Sequence, residues 1–127
     1  MAELSKARLE ITLVSGSNQA DVEATVDVTL TPFEKNMIDN FGLRLALRCQ
    51  LRGADSGGTG GDDNLYTFPT RGVSDSGTFT FSERIRRSVL DEDLGGDEVY
   101  ARFRLFSREP SFPINVTKDS PEVSGRF

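Results

Sequence analysis

Histidine and tryptophan are absent from this chain, cysteine occurs once, and only three of its fifteen basic residues are lysines. Each shortage excludes something. Without histidine there is no serine–histidine–aspartate or cysteine–histidine catalysis, no histidine general base and no histidine-held metal. A lone Cys49 closes no internal disulfide and builds no thiolate metal site by itself. No stretch approaches the roughly 18 apolar residues that a helical membrane span needs. The opening Met1-Ala2-Glu3-Leu4-Ser5-Lys6 has neither the basic region nor the apolar run of a secretory leader, so a cytoplasmic protein is expected. Asn115-Val116-Thr117 fits the glycosylation pattern, but without a leader it reads as chance.

What is present is a chain of single-domain length, 127 residues, with 36% apolar and 28% charged residues and nine phenylalanines. A net charge of −5 argues against nucleic acid as the partner. Twelve arginines stand against Lys6, Lys35 and Lys118. Arginine is the side chain suited to planar, bidentate pairing with carboxylates.

Alternation with period two runs through most of the sequence, the signature of half-buried strands. Leu9, Ile11 and Leu13 alternate with Arg8, Glu10 and Thr12; Val22, Ala24, Val26, Val28 and Leu30 with Glu23, Thr25, Asp27 and Thr29. Leu43 to Leu51, Phe79 to Ile85 and Val99 to Leu105 repeat the pattern. The shorter runs Leu65–Phe68 and Phe112–Thr117 carry Pro69 and Pro113 at or near them, which places both at sheet edges because proline cannot donate to a ladder. About seven strands, each with one apolar face, require a second layer. The expectation is an all-β, antiparallel β-sandwich over residues 1–127, of immunoglobulin-like or C2-like architecture.

One short helical turn near 32–39 interrupts the strands. Thr31-Pro32-Phe33-Glu34 offers an N-cap, proline at the first helical position and glutamate at the third. Phe33 and Met37 then share a face, Gly42 ends the segment, and the turn plugs one end of the sandwich. The stretch Ser82–Leu90 reads equally as strand or helix. Gly53–Asp63 holds five of the twelve glycines and reads as a permissive loop within the domain. Its glycines lack the following lysine of a phosphate-binding loop. Cys49 falls in the inward phase of its strand, so a buried and inert thiol is expected.

Two constellations are candidates for function. The first is the outward arginine set: Arg44, Arg48 and Arg52 on the third strand, Arg84 on the fifth, Arg102 and Arg104 on the sixth, with Tyr100 and Phe106 beside them. On a shared sheet they form either an ordinary lattice of cross-strand ion pairs or a docking face for an acidic protein, including a second copy in a homo-oligomer. Glu10, Glu23 and Asp27 make the outer faces of the first two strands acidic instead.

The second is the acidic run Asp91-Glu92-Asp93-Leu94-Gly95-Gly96-Asp97-Glu98. If successive strands reverse direction, the first, third and fifth loops share one end. That end gathers Asp62, Asp63, Asp91, Asp93 and Asp97, together with Asp21 and Asp55, an oxygen-rich set of the kind Ca²⁺ takes. Ser76-Gly77-Thr78-Phe79-Thr80-Phe81, followed by Val89-Leu90-Asp91-Glu92-Asp93 and Gly96-Asp97-Glu98-Val99, resembles the end of a C2 domain. There an F-x-F strand precedes an aspartate-x-aspartate calcium loop. The resemblance spans about a quarter of the chain and implies Asp91, Asp93 and Asp97 as calcium ligands; it supplies no first calcium loop, and no family is assigned from it. Tyr100 stands where an immunoglobulin tyrosine corner could lie, but alternation turns it outward and no cysteine pair or tryptophan accompanies it.

With no visible nucleophile motif and no histidine, a glycosidase-type carboxylate pair is the remaining catalytic candidate, and nothing in the sequence places one. The reading is a small non-enzymatic binding protein docking through its arginine face. The alternative is a calcium-dependent ligand-binding module that uses the acidic loop end.

Overall fold

A computed structural model describes residues 2–53, 63–90, 97–109 and 113–125, with the backbone alone at Asp63, Asp97 and Gly125. Alternation becomes strand as expected. Odd residues of β2 (Gln19–Thr29) turn outward, while Ala20, Val22, Ala24, Val26 and Val28 are buried. Antiparallel pairing with β1 (Glu3–Leu13) and β6 (Gly77–Arg86) makes a three-stranded sheet in the order β1-β2-β6. The larger sheet runs β4-β3-β7-β8, built from β3 (Leu45–Gly53), β4 (Asp63–Thr67), β7 (Asp97–Ser107) and β8 (Asn115–Asp119). With β1-β2-β6 in the place of A-B-E and β3-β7-β8 in that of C-F-G, the strand order is of the immunoglobulin type. The protein is an all-β sandwich.

The apolar faces of the two sheets meet in one core. Leu47, Leu51, Phe103 and Leu105 of the larger sheet are fully buried, as are Val22 and Val26 of the smaller one. Phe81 bridges the layers, its ring centroid 6.2 Å from that of Phe103 and 5.8 Å from that of Phe68. Such tilted pairs add about 0.5–1.5 kcal/mol beyond the area they bury. Cys49 is completely buried in this layer, and burial pushes its thiol pKa up to about 12.

Nine strands are present among the described residues, where alternation predicts about seven. The extra ones come from the prolines. Around Pro69 the predicted Leu65–Phe68 strand becomes β4, and β5 (Arg71–Val73) follows; both pair with β3, one along each half. Likewise β8 starts after Pro113, and β9 (Val123–Gly125) joins it in lining β7. Each edge of the larger sheet is thus two short pieces rather than one long strand. Broken edges resist pairing with other chains. In β1, Lys6 takes φ 52° in a bulge between Ser5 and Arg8. The extra residue brings both Leu4 and Ala7 to the core side.

The helical turn is a ten-residue helix, α1 (Pro32–Phe41), between β2 and β3. The Thr31 hydroxyl accepts from the Glu34 N–H, and Glu34 Oε1 accepts from the Thr31 N–H at 2.8 Å, so the capping box forms as read. Gly42 closes the helix at φ 72°, in the left-handed region that a side chain would strain. Its packing face differs from the expectation. Met37 and Ile38 lie against the core, whereas Phe33 and Phe41 are 59% and 70% exposed. The buried residue of the helix is the capping Glu34. Ser82–Leu90 resolves into both readings: strand to Arg86, then a single turn, α2 (Arg87–Leu90), that buries Leu90. No helix among the described residues is long and apolar enough to cross a membrane.

Candidate docking face on the larger sheet

Register decides which arginines stand together. Along β3 and β7, Arg48 lies directly opposite Arg104, Gln50 opposite Arg102, Arg52 opposite Tyr100 and Ala46 opposite Phe106. These residues occupy the outer phase, since Leu47, Cys49, Leu51, Phe103 and Leu105 between them are buried. One compact group results. The guanidinium of Arg48 sits 5.2 Å from the centre of the Phe106 ring, and that of Arg104 sits 5.0 Å from it. Arg104 Nε also donates to Asn115 Oδ1 on β8 at 2.8 Å. A phenyl ring between two guanidiniums offsets part of their repulsion through its electron-rich face. It leaves their charge uncancelled: among the described residues neither Arg48 nor Arg104 forms an ion pair.

Other predicted members have carboxylates of their own. Arg102 pairs with Asp119, its cross-strand neighbour on β8, through Nε–Oδ1 at 2.9 Å and Nη2–Oδ2 at 3.1 Å. Arg102 also lies 5.7 Å from the Tyr100 ring centre. Arg44 precedes β3 rather than lying on it, and its Nε donates to Glu109 Oε1 at 2.8 Å. These bridges to Glu109 and Asp119 come from segments that follow β7, so strand-by-strand reading missed them. The signal was present, since both acids flank the edge run Phe112–Thr117 that follows the last long strand.

Two expectations are corrected. Arg84 is not part of the basic face. It belongs to β6 in the other sheet, where it grips Asp21 across the ladder at 2.7 and 3.1 Å and draws the Asp21 carboxyl below its usual range through that hydrogen bond. Tyr100 is no exposed anchor. It is 5% exposed although it stands in the outer phase, and a small recess that it shares with Arg102, Asp119, Ser120 and Glu122 marks where the chain after β8 folds beside it. Phe106 is half-buried and remains at the surface of the face.

The outer face of the smaller sheet has the opposite character. Glu10 lies directly opposite Glu23, with Asp21 and Asp27 on the same strand as Glu23. Glu10, Asp21, Glu23 and Glu83, together with the one cation Arg84, line a shallow hollow of about 370 Å³. Among the described residues neither Glu10 nor Glu23 forms an ion pair.

Some described strand ends beside the predicted loop end lie near one another. The β1–β2 turn meets the end of β6, where the Arg87 N–H donates to the Asn18 carbonyl at 2.8 Å. On the larger sheet Gly53 pairs with both Asp63 and Val99. The strand ends that flank 54–62 and 91–96 therefore converge. Asp55, Asp62, Asp91 and Asp93 themselves lie outside the described residues, as do the side chains of Asp63 and Asp97. Among the described residues no three metal-ligating side chains are grouped.

No family model matches the chain, and no curated protein does. Solved structures resemble it at low identity. A protein from Archaeoglobus fulgidus is 12% identical, with 98% of each chain covered and a TM-score of 0.48. A GH3 β-glucosidase from Bifidobacterium adolescentis is 11% identical, with a TM-score of 0.41; the match covers 96% of this chain and 17% of that one. Neither likeness bears on function.

Proposed function

We propose that the protein is a non-enzymatic binding module that docks an acidic protein surface on the outer face of its larger sheet. The observation that carries this reading is the Arg48–Phe106–Arg104 group. Two like charges directly opposite each other in a ladder are destabilising. Here they have no carboxylate of their own among the described residues, and they flank a half-buried aromatic ring. Arginine and aromatic residues are the side chains enriched at protein interfaces. A partner carboxylate would complete the charge balance with bidentate hydrogen bonds, and the ring would supply apolar contact. Of the carboxylates in the calcium-dependent alternative, Asp21 alone has a described side chain, and Arg84 holds it.

A fluorescent glutamate-rich peptide is the direct probe, read by anisotropy. Binding should weaken steeply as salt rises, and Arg48→Glu with Arg104→Glu should abolish it while circular dichroism shows the variant still folded. Equal binding by wild type and variant would refute the assignment of the face. Tighter binding of an oligonucleotide of equal charge would turn the reading to nucleic acid.

A further inference from the structure

The two outer faces of the sandwich carry matching defects. On the larger sheet, Arg48 and Arg104 oppose each other without a carboxylate among the described residues. On the smaller sheet, Glu10 and Glu23 oppose each other and form no ion pair among the described residues. Each pair is locally unfavourable, and each is what the other lacks. The shapes agree as well: the glutamates border a hollow of about 370 Å³, and the arginines flank a ring that stays at the surface. The cations nearest the hollow do not fill the need. Arg84 is held bidentately by Asp21, Arg8 stands one ladder row away from Glu10, and Arg86 two rows away.

The two faces point away from each other on opposite sides of one molecule, so they cannot meet within it. We infer that the acidic surface received by the arginine face is the smaller sheet of a second copy, Arg48 and Arg104 of one molecule lying against Glu10 and Glu23 of the next. This rests on the docking reading above and names its partner. Such a contact joins two different patches, so it repeats head to tail and ends in an open filament or a ring. Its strength follows from its size. Three strands about 4.8 Å apart and about 35 Å long present roughly 500 Å². A standard stable interface takes about 800 Å² from each partner. The assembly is therefore weak, concentration-dependent and governed by salt.

Sedimentation velocity of the full chain at high protein concentration tests it. Wild type should form species larger than the monomer at roughly 0.05 M salt and revert to monomer by roughly 0.5 M, as the Debye length falls from above 10 Å to below half of that. Arg48→Glu with Arg104→Glu should be monomeric, and so should Glu10→Arg with Glu23→Arg. Mixed together, these two variants are complementary at both contacts, since every face of one is acidic and every face of the other basic, and should assemble again in strict alternation. Should either reversal fail to fold, the corresponding glutamine variants should each associate at least tenfold more weakly, and their mixture, which keeps one wild-type pair of faces, should stop at a 1:1 complex. Wild type that stays monomeric at low salt, or a mixture of the two reversal variants that stays monomeric, overturns the inference. If the glutamate-rich peptide still binds in that case, docking stands and only the second copy falls; if it does not, both fall.

Discussion

Phe106 holds two guanidiniums at once, and Arg48 and Arg104 repel each other less for its presence than they would across an aliphatic side chain. Each cation–π contact at an exposed site contributes about 0.5–1 kcal/mol. Phe106→Ala should therefore lower stability by about 1–2 kcal/mol and weaken acidic-peptide binding, whereas Phe106→Tyr should preserve both. Chemical denaturation beside the anisotropy assay separates the two effects. Cys49 shows the opposite environment. Its thiol is completely buried and its pKa is pushed to about 12, so the reactive thiolate is scarce in the folded protein. A thiol reagent should modify native protein far more slowly than denatured protein; equal rates would contradict burial. The inward phase of Cys49 was legible from Leu47 and Leu51 on either side. The burial of Tyr100 was not, because it comes from the chain that follows β8 rather than from its own strand.

Among the elements, α1 shows how one residue can serve two segments distant in sequence. Glu34 Oε1 accepts from the N–H and hydroxyl of Thr31, each at 2.8 Å, while Oε2 accepts the Ala2 N–H at 2.7 Å. The first strand is thereby tied to the helix cap. Burial works to raise the Glu34 pKa, and the hydrogen bonds from Thr31 and Ala2 outweigh it, holding the carboxyl below its ordinary 4.5. A depressed folded pKa contributes stability that is whole above the unfolded value and is lost as pH falls through the folded one. Wild type should lose stability more steeply than Glu34→Gln as pH falls below 4.5. Near neutral pH the variant should be weaker by about 1.5–3 kcal/mol, the cost of a charge-assisted hydrogen-bond set. Urea midpoints across that range check the sign; parallel curves would contradict it. Thr31→Ala should cost about 1 kcal/mol through the lost cap. The capping box was readable in Thr31-Pro32-Phe33-Glu34, because its donors and acceptors are local. The pairing of Glu34 with Ala2 spans 32 positions and leaves no mark on the pattern. The same limit explains the edges: alternation finds long central strands, but the division of each edge into two short pieces depends on which strand they line.

For the whole molecule, each outer face of the sandwich carries one opposed like-charge pair, arginines on the larger sheet and glutamates on the smaller. Alternation was enough to assign each residue to an inner or outer phase. Sheet membership was not, and that is why Arg84 was grouped with the basic face until the β2–β6 ladder placed it beside Asp21. The account stands or falls on the location of the docking face. Titrating a glutamate-rich peptide into isotope-labelled protein and following backbone amide shifts would locate it residue by residue. The account predicts that the largest shifts gather at Arg48, Gln50, Arg104 and Phe106 on β3 and β7 and shrink together as salt is raised. Shifts centred on α1 or on the β1–β2 turn and its neighbouring strand ends, with β3 and β7 unmoved, would contradict it.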